Sequence, residues 1–238
     1  VSAIGMLLFT SRPVGDAMAT TIWGTSSSWT LTALPLFVWM GEILFRTKLS
    51  ENLFKGLAPW MSRLPGGLIH VNVVGCALFA AISGSSAATV ATVGKMSIPE
   101  LRKRNYPEKL LLGSLAGSGT LGLLIPPSII LIIYGVTVQE SIAKLFIAGI
   151  IPGIMIAIFF MFYVIGWSIL NKESMPKTEE NFSFSQKIKD SGQLIPVIVL
   201  IAAVIGSIYV GIATATEAAS LGVVGALILS FFQKSLNK

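Results

Sequence analysis

The chain has 238 residues, of which 53% are hydrophobic and only 12% charged, with a formal net charge of +6. Its mean hydropathy is +0.80, and its charged residues gather in short patches between long uncharged runs, which reads as an all-α integral membrane protein and excludes an ordinary soluble domain. The basic residues lie beside apolar runs, where they set topology and meet anionic lipid, and this argues against a nucleic-acid-binding face.

The N-terminal stretch from Val1 to Thr10 has no charged leader, no cleavage site and no initiator Met. It opens inside an apolar run and reads as a start in mid-protein. Further apolar runs cover roughly 30–45, 67–94, 110–136, 142–170, 191–212 and 218–232. Glu42 and Arg46 stand four apart at the end of the 30–45 run, the spacing of a helical ion pair.

The next stretch carries Leu49, Leu53, Phe54, Leu57 and Trp60 at helical spacing, with Glu51, Lys55 and Arg63 between them. It predicts an amphipathic helix along the cytoplasmic interface, either a brace for a scaffold or a docking face for a partner helix.

Run 67–94 is the first anomaly. Its flanks are both basic, Arg46, Lys48, Lys55 and Arg63 on one side and Lys95, Arg102, Lys103, Arg104 and Lys109 on the other. Short basic loops stay in the cytoplasm, so the run between them must cross an even number of times. Its length of about 28 residues is too short for two spans of about 20 each. The expectation is a hairpin that enters and leaves by one face. Ser83, Gly84, Ser85 and Ser86 suit its tip: glycine allows the turn and serine hydroxyls satisfy backbone groups that lipid cannot. The competing reading is a full span whose small residues form a helix-packing face.

Run 110–136 is the second. Gly117, Ser118, Gly119, Thr120 and Gly122 precede Pro126 and Pro127, and two prolines in succession predict a broken helix at Ile125. Freed carbonyls and hydroxyls at such a break suit a hard cation such as Na⁺, while half-helix N-termini favour anions. Neither segment carries a charged side chain, which argues against a relay of buried carboxylates.

From there, two simple crossings return the chain to the polar, basic linker 171–190, with Lys172, Lys177, Lys187 and Lys189, and two more return it to Lys234 and Lys238. The outer turns near 137–141 and 213–217 have no Lys or Arg. Thr214 and Glu217 have the spacing of a capping box at the head of the last run.

The lone Cys76 and lone His70 leave no internal disulfide and no histidine cluster for zinc or iron, and Cys76 reads as a small apolar filler. A serine hydrolase built on Ser85 or Ser86 with His70 is disfavoured by a separation of about 15 Å or more along a helix.

Four ordered motifs, "GGLIHVNVVGCALFAAISGSSAAT", "GSLAGSGTLGLLIPPSIILIIYG", "LFIAGIIPGIMIA" and "TATEAASLGVVGAL", resemble the large membrane (M) subunit of tripartite ATP-independent periplasmic (TRAP) transporters, the DctM-like family. The resemblance runs from about Leu34 to Leu229. It implies a multi-pass bacterial inner-membrane protein and a sodium-driven, elevator-type uptake system, with Na⁺ as coupling ion and no other cofactor. The implied partners are a small membrane (Q) subunit, packing on the amphipathic arm, and a periplasmic binding protein that delivers an organic acid such as a C4-dicarboxylate or sialic acid.

By motif, the resemblance assigns sodium to Ser83, Gly84, Ser85, Ser86, Gly117, Ser118 and Thr120. It assigns substrate to Ser85, Ser86, Pro126, Pro127 and Ser128. It divides the chain into scaffold and arm (1–66), transport hairpin and broken helix (67–136), further spans (137–212) and the start of a second repeat (213–238).

Two departures stand out. Ala215 occupies the place of a usual proline in the cap motif, and the family's chain continues for about as long again. The resemblance therefore implies half of a transporter, unable to transport alone. A binding-protein-independent sodium/divalent-anion symporter and a non-transporting scaffold subunit are the alternative readings.

Overall fold

The computed structural model describes residues 2–9, 13–47, 49–176 and 183–232, and every regular element among them is a helix. In order these are α1 (Ser2–Phe9), α2 (Val14–Ser26), α3 (Ala33–Phe45), α4 (Leu49–Met61), α5 (Ile69–Ser83), α6 (Ser86–Lys103), α7 (Glu108–Gly119), α8 (Ile129–Val138), α9 (Ile142–Leu170), α10 (Phe184–Ser191), α11 (Ile195–Tyr209) and α12 (Ala215–Phe232). Lys48, Lys177, Lys234 and Lys238 and the side chains of Leu49 and Glu51 lie outside what is described.

Among the described residues, three continuous helices are long and apolar enough to cross a membrane: Ile142–Leu170, Phe184–Tyr209 and Ala215–Phe232. A fourth candidate is the pair Val14–Ser26 and Trp29–Phe45, bent by 48°. Helix α9 turns Ile147, Ile151, Ile154, Ile158, Phe159 and Phe162 outward, the pattern of a lipid-facing span.

Helix α5 is different in kind. It has 15 residues, about 22 Å at 1.5 Å per residue, against a hydrocarbon core of about 30 Å. Its apolar side chains Ile69, Val71, Val73, Cys76, Phe79 and Ile82 are all within 1% of fully buried. A helix that is apolar and buried all round is a core helix. Here α3, α4, α6, α7 and α9 surround it. Residues 69–83 of run 67–94 are thus protein-enclosed, and Cys76 fills space among them.

The arm helix α4 appears where its periodicity places it. Its apolar face, Leu53, Phe54, Leu57 and Ala58, is buried, and α10 with the turn after it packs on this helix. A Cβ at Gly56 would meet Leu194 at 2.6 Å. Trp60 Nε1 donates to Ser191 Oγ at 2.7 Å, and Lys187 Nζ lies 5.4 Å from the Trp60 ring centre. The arm is therefore a brace within this chain, clasped by residues 184–194. That segment reads as polar linker because it packs through a lysine stem and a serine hydroxyl instead of an apolar stripe.

Two local expectations hold. Arg46 Nε meets Glu42 Oε1 at 2.7 Å. At α12, Thr214 N donates to Glu217 Oε2 at 2.8 Å and Glu217 N donates to Thr214 Oγ1 at 3.3 Å, the reciprocal capping box. Helix α3 is held by α12, where Met40 Sδ touches Gly222, and by Phe37, whose ring packs edge-on against Phe146 at 6.5 Å.

Candidate functional site

Helices α5 and α6 form a hairpin whose link is two residues, Gly84 and Ser85. Gly84 takes φ +60°, and a Cβ there would lie 2.7 Å from Pro127 O. Glycine is required twice, by the left-handed backbone and by the close approach. Ser85 is the N-cap of α6, its Oγ accepting from Ala88 N at 3.4 Å. Behind the tip, buried Ser83 shares a hydrogen bond with buried Thr89, Oγ to Oγ1, at 3.0 Å, and its Oγ accepts from Ser85 N at 3.3 Å.

The second element is the interruption between α7 and α8. The α-helix stops at Gly119, six positions before Ile125, and a 3₁₀ turn covers Thr120–Leu123 before the prolines. Glycines and hydroxyls start the break because Ser118 and Thr120 turn their hydroxyls onto backbone carbonyls, Ser118 Oγ to Ser114 O at 2.6 Å and Thr120 Oγ1 to Gly117 O at 2.7 Å. Ser128 closes it: buried, it donates from Oγ to Leu123 O at 2.7 Å.

The two elements meet. Ile129 N, one of the orphan donors at the start of α8, donates to Gly84 O at 3.2 Å. A Cβ at Gly122 would fall 2.9 Å from Ser86 N, and Gly119 lies against Val90 of α6. Two helix C-termini, of α5 and α7, and two N-termini, of α6 and α8, therefore converge within a few residues. C-terminal carbonyls favour a cation and N-terminal amides an anion. Ser86 Oγ is buried there without a hydrogen-bond partner among the described residues.

The structure thus brings Ser83, Gly84, Ser85 and Ser86 together with Pro127, Ser128 and the 3₁₀ turn that begins at Thr120. Thr120 is exposed, and its hydroxyl keeps lone pairs after donating. It does not bring two of the expected residues to the tip. Gly117 faces Phe160 of α9. Ser118 Oγ reaches Asn72 O at 3.3 Å, eleven positions before Ser83 on α5, about 16 Å along the helix. There it belongs to a buried polar cluster in which Asn72 Nδ2 donates to Ser114 Oγ at 3.0 Å.

Pattern reading passed over Thr89, whose signal was its place in the small-residue stretch, and Gly41 of α3, which lies against Ser83. His70 sits at the far end of α5, its Nε2 at 2.8 Å from Pro65 O, well away from every tip serine.

The described residues thus form a helical, membrane-suited chain in which uncharged helix ends meet, and comparison with known sequences gives its family. The model of the "Tripartite ATP-independent periplasmic transporter, DctM component" matches residues 1–237, and the chain belongs to that family. It is 32% identical to the C4-dicarboxylate TRAP transporter large permease protein DctM of Pseudomonas aeruginosa over 97% of this chain and 53% of that protein. It is 33% identical to the sialic acid TRAP transporter large permease protein SiaM of Vibrio cholerae, over 95% of this chain and 52% of that protein. It is 35% identical to the isethionate TRAP transporter permease protein DctMQ of Oleidesulfovibrio alaskensis, over 93% and 34%. The chain spans about half the length of the large permeases it matches. The matched family is a component of a tripartite transporter.

Proposed function

We propose that the chain forms one half of the substrate and sodium pathway of a binding-protein-dependent importer of organic acids. The observation that carries this reading is the bond from Ile129 N to Gly84 O, which joins the hairpin tip to the interrupted helix. In this reading the α5–α6 hairpin is re-entrant, and α7–α8 is a proline-broken span facing it. Na⁺ is held by hydroxyl and carbonyl oxygens of Ser83, Gly84, Ser85, Ser86 and Thr120, oxygens being the ligands of hard cations. The substrate's carboxylate lies at the N-termini of α6 and α8, near Ser85, Ser86, Pro126, Pro127 and Ser128. Gly117 and Ser118 support this site from behind. The hairpin and broken helix move together against α3, α4 and α12 in an elevator cycle.

The names of the relatives support organic acids as the class, with C4-dicarboxylate and sialic acid among them. The name of the DctMQ relative supports a Q-type membrane partner, and the tripartite family description supports a periplasmic partner. The test is uptake into proteoliposomes holding the complete permease, its Q subunit and its binding protein, across a panel of organic acids. Uptake that requires an inward Na⁺ gradient and the binding protein is expected. Sodium-dependent uptake without the binding protein would favour an independent symporter. Full uptake after Ser85→Ala with Thr120→Ala would favour a scaffold subunit.

A further inference from the structure

Helix α3 carries one residue that touches the hairpin tip at backbone distance. A Cβ at Gly41 would lie 2.9 Å from Ser83 Cα and 3.0 Å from Ser83 Cβ. Neither atom can rotate away, since one is backbone and the other is fixed to it. Ser83 is 1% exposed, and its Oγ is tied to Thr89 Oγ1 at 3.0 Å and to Ser85 N at 3.3 Å. Displacing Ser83 therefore displaces the N-cap of α6 and, through Gly84, the joint to Ile129.

Helix α3 is packed on other elements as well. Met40, 2% exposed, is seated on Gly222 of α12, and Phe37, one turn before Gly41, is packed on Phe146. One turn after Gly41, Lys95 Nζ of α6 lies 5.4 Å from the Phe45 ring centre, so the hairpin and α3 remain in contact below the tip. The tip is thus closed from two sides by residues without side chains, Gly122 from the broken helix and Gly41 from α3.

We infer that Gly41 is a positioning residue for the hairpin-tip site: its missing side chain sets how closely α3 seats Ser83, and through Ser83 the oxygens that hold the coupling cation. The inference rests on the sodium reading above. It assigns to α3, an element outside hairpin and break, control over affinity at the tip.

The test uses the complete permease with its partners in proteoliposomes, reading the Na⁺ concentration for half-maximal uptake separately from the maximal rate. Gly41→Ala should raise sodium half-saturation on the order of tenfold, the scale on which an inserted methyl disturbs a packed site, with normal membrane abundance. Gly222→Ala, which meets the flexible end of Met40 instead of backbone, should leave half-saturation within about twofold of wild type. Where Gly41→Ala does not accumulate, Ser83→Thr takes its place, keeping the hydroxyl and adding one methyl at Ser83 Cβ, the side-chain carbon that faces Gly41. Half-saturation unchanged in the tip variants, or raised equally by Gly222→Ala, overturns the inference. A wild type with no sodium dependence sinks the functional reading itself, which separates the two failures.

Discussion

Gly84 and Ser86 bear opposite relations to stability, and the contrast makes the tip testable. Alanine at Gly84 must adopt φ +60° and push against Pro127 O. The left-handed backbone alone costs about 1–2 kcal/mol, and the clash parts the tip from α8. Gly84→Ala is therefore expected to abolish uptake while the protein still reaches the membrane, measured by transport and by quantitative immunoblot. Ser86 Oγ is buried without a partner among the described residues, so Ser86→Ala removes no intraprotein hydrogen bond. Its melting temperature without Na⁺ should equal or exceed that of wild type. The stabilisation added by saturating Na⁺ should fall, because a ligand stabilises in proportion to its occupancy. Equal sodium stabilisation in both proteins would remove Ser86 from the cation site.

Ser118 gives the reverse pattern. Its hydroxyl is committed to Ser114 O and Asn72 O, so Ser118→Ala should destabilise by about 1 kcal/mol and leave sodium half-saturation unchanged. A strong rise in half-saturation would return Ser118 to the ion site.

At the scale of elements, punctuation was more legible than neighbourhood. Thr214 and Glu217 announced the start of α12 because a capping box depends only on residues three apart. Thr214→Ala should lower thermal stability by about 1 kcal/mol, with substrate half-saturation unchanged. Charge asked for a same-face hairpin in run 67–94, since two basic flanks cannot be reconciled with an odd number of crossings; the two-residue turn at Gly84 and Ser85 is compatible with it, and its sidedness is the claim to be tested. The early end of α7 was not legible, because the hydroxyl-to-carbonyl bonds of Ser118 and Thr120 act before the prolines are reached. Residues 184–191 read as linker for a similar reason: the buried stem of Lys187 and the Trp60–Ser191 bond make a packed helix from a polar sequence. Gly41 was invisible in the sequence, where a glycine in an apolar run does not say which backbone it faces.

At the scale of the whole molecule, the buried helix α5 lies at the centre, packed by α3, α4, α6, α7 and α9. The tip of the α5–α6 hairpin lies against an interrupted helix, and its base is braced by α4, which α10 clasps in turn. The central claim is that residues 69–103 enter and leave the membrane by one face. Because the single native cysteine, Cys76, is fully buried, the exposed positions Arg63 and Lys103 can each be converted to cysteine and probed with a membrane-impermeant maleimide, with Glu140→Cys as the opposite-face control. Labelling of Arg63→Cys and Lys103→Cys only in inside-out vesicles, and of Glu140→Cys only in right-side-out vesicles, is the predicted result. Labelling of Arg63→Cys and Lys103→Cys from opposite faces would make α5–α6 a simple span and contradict the account.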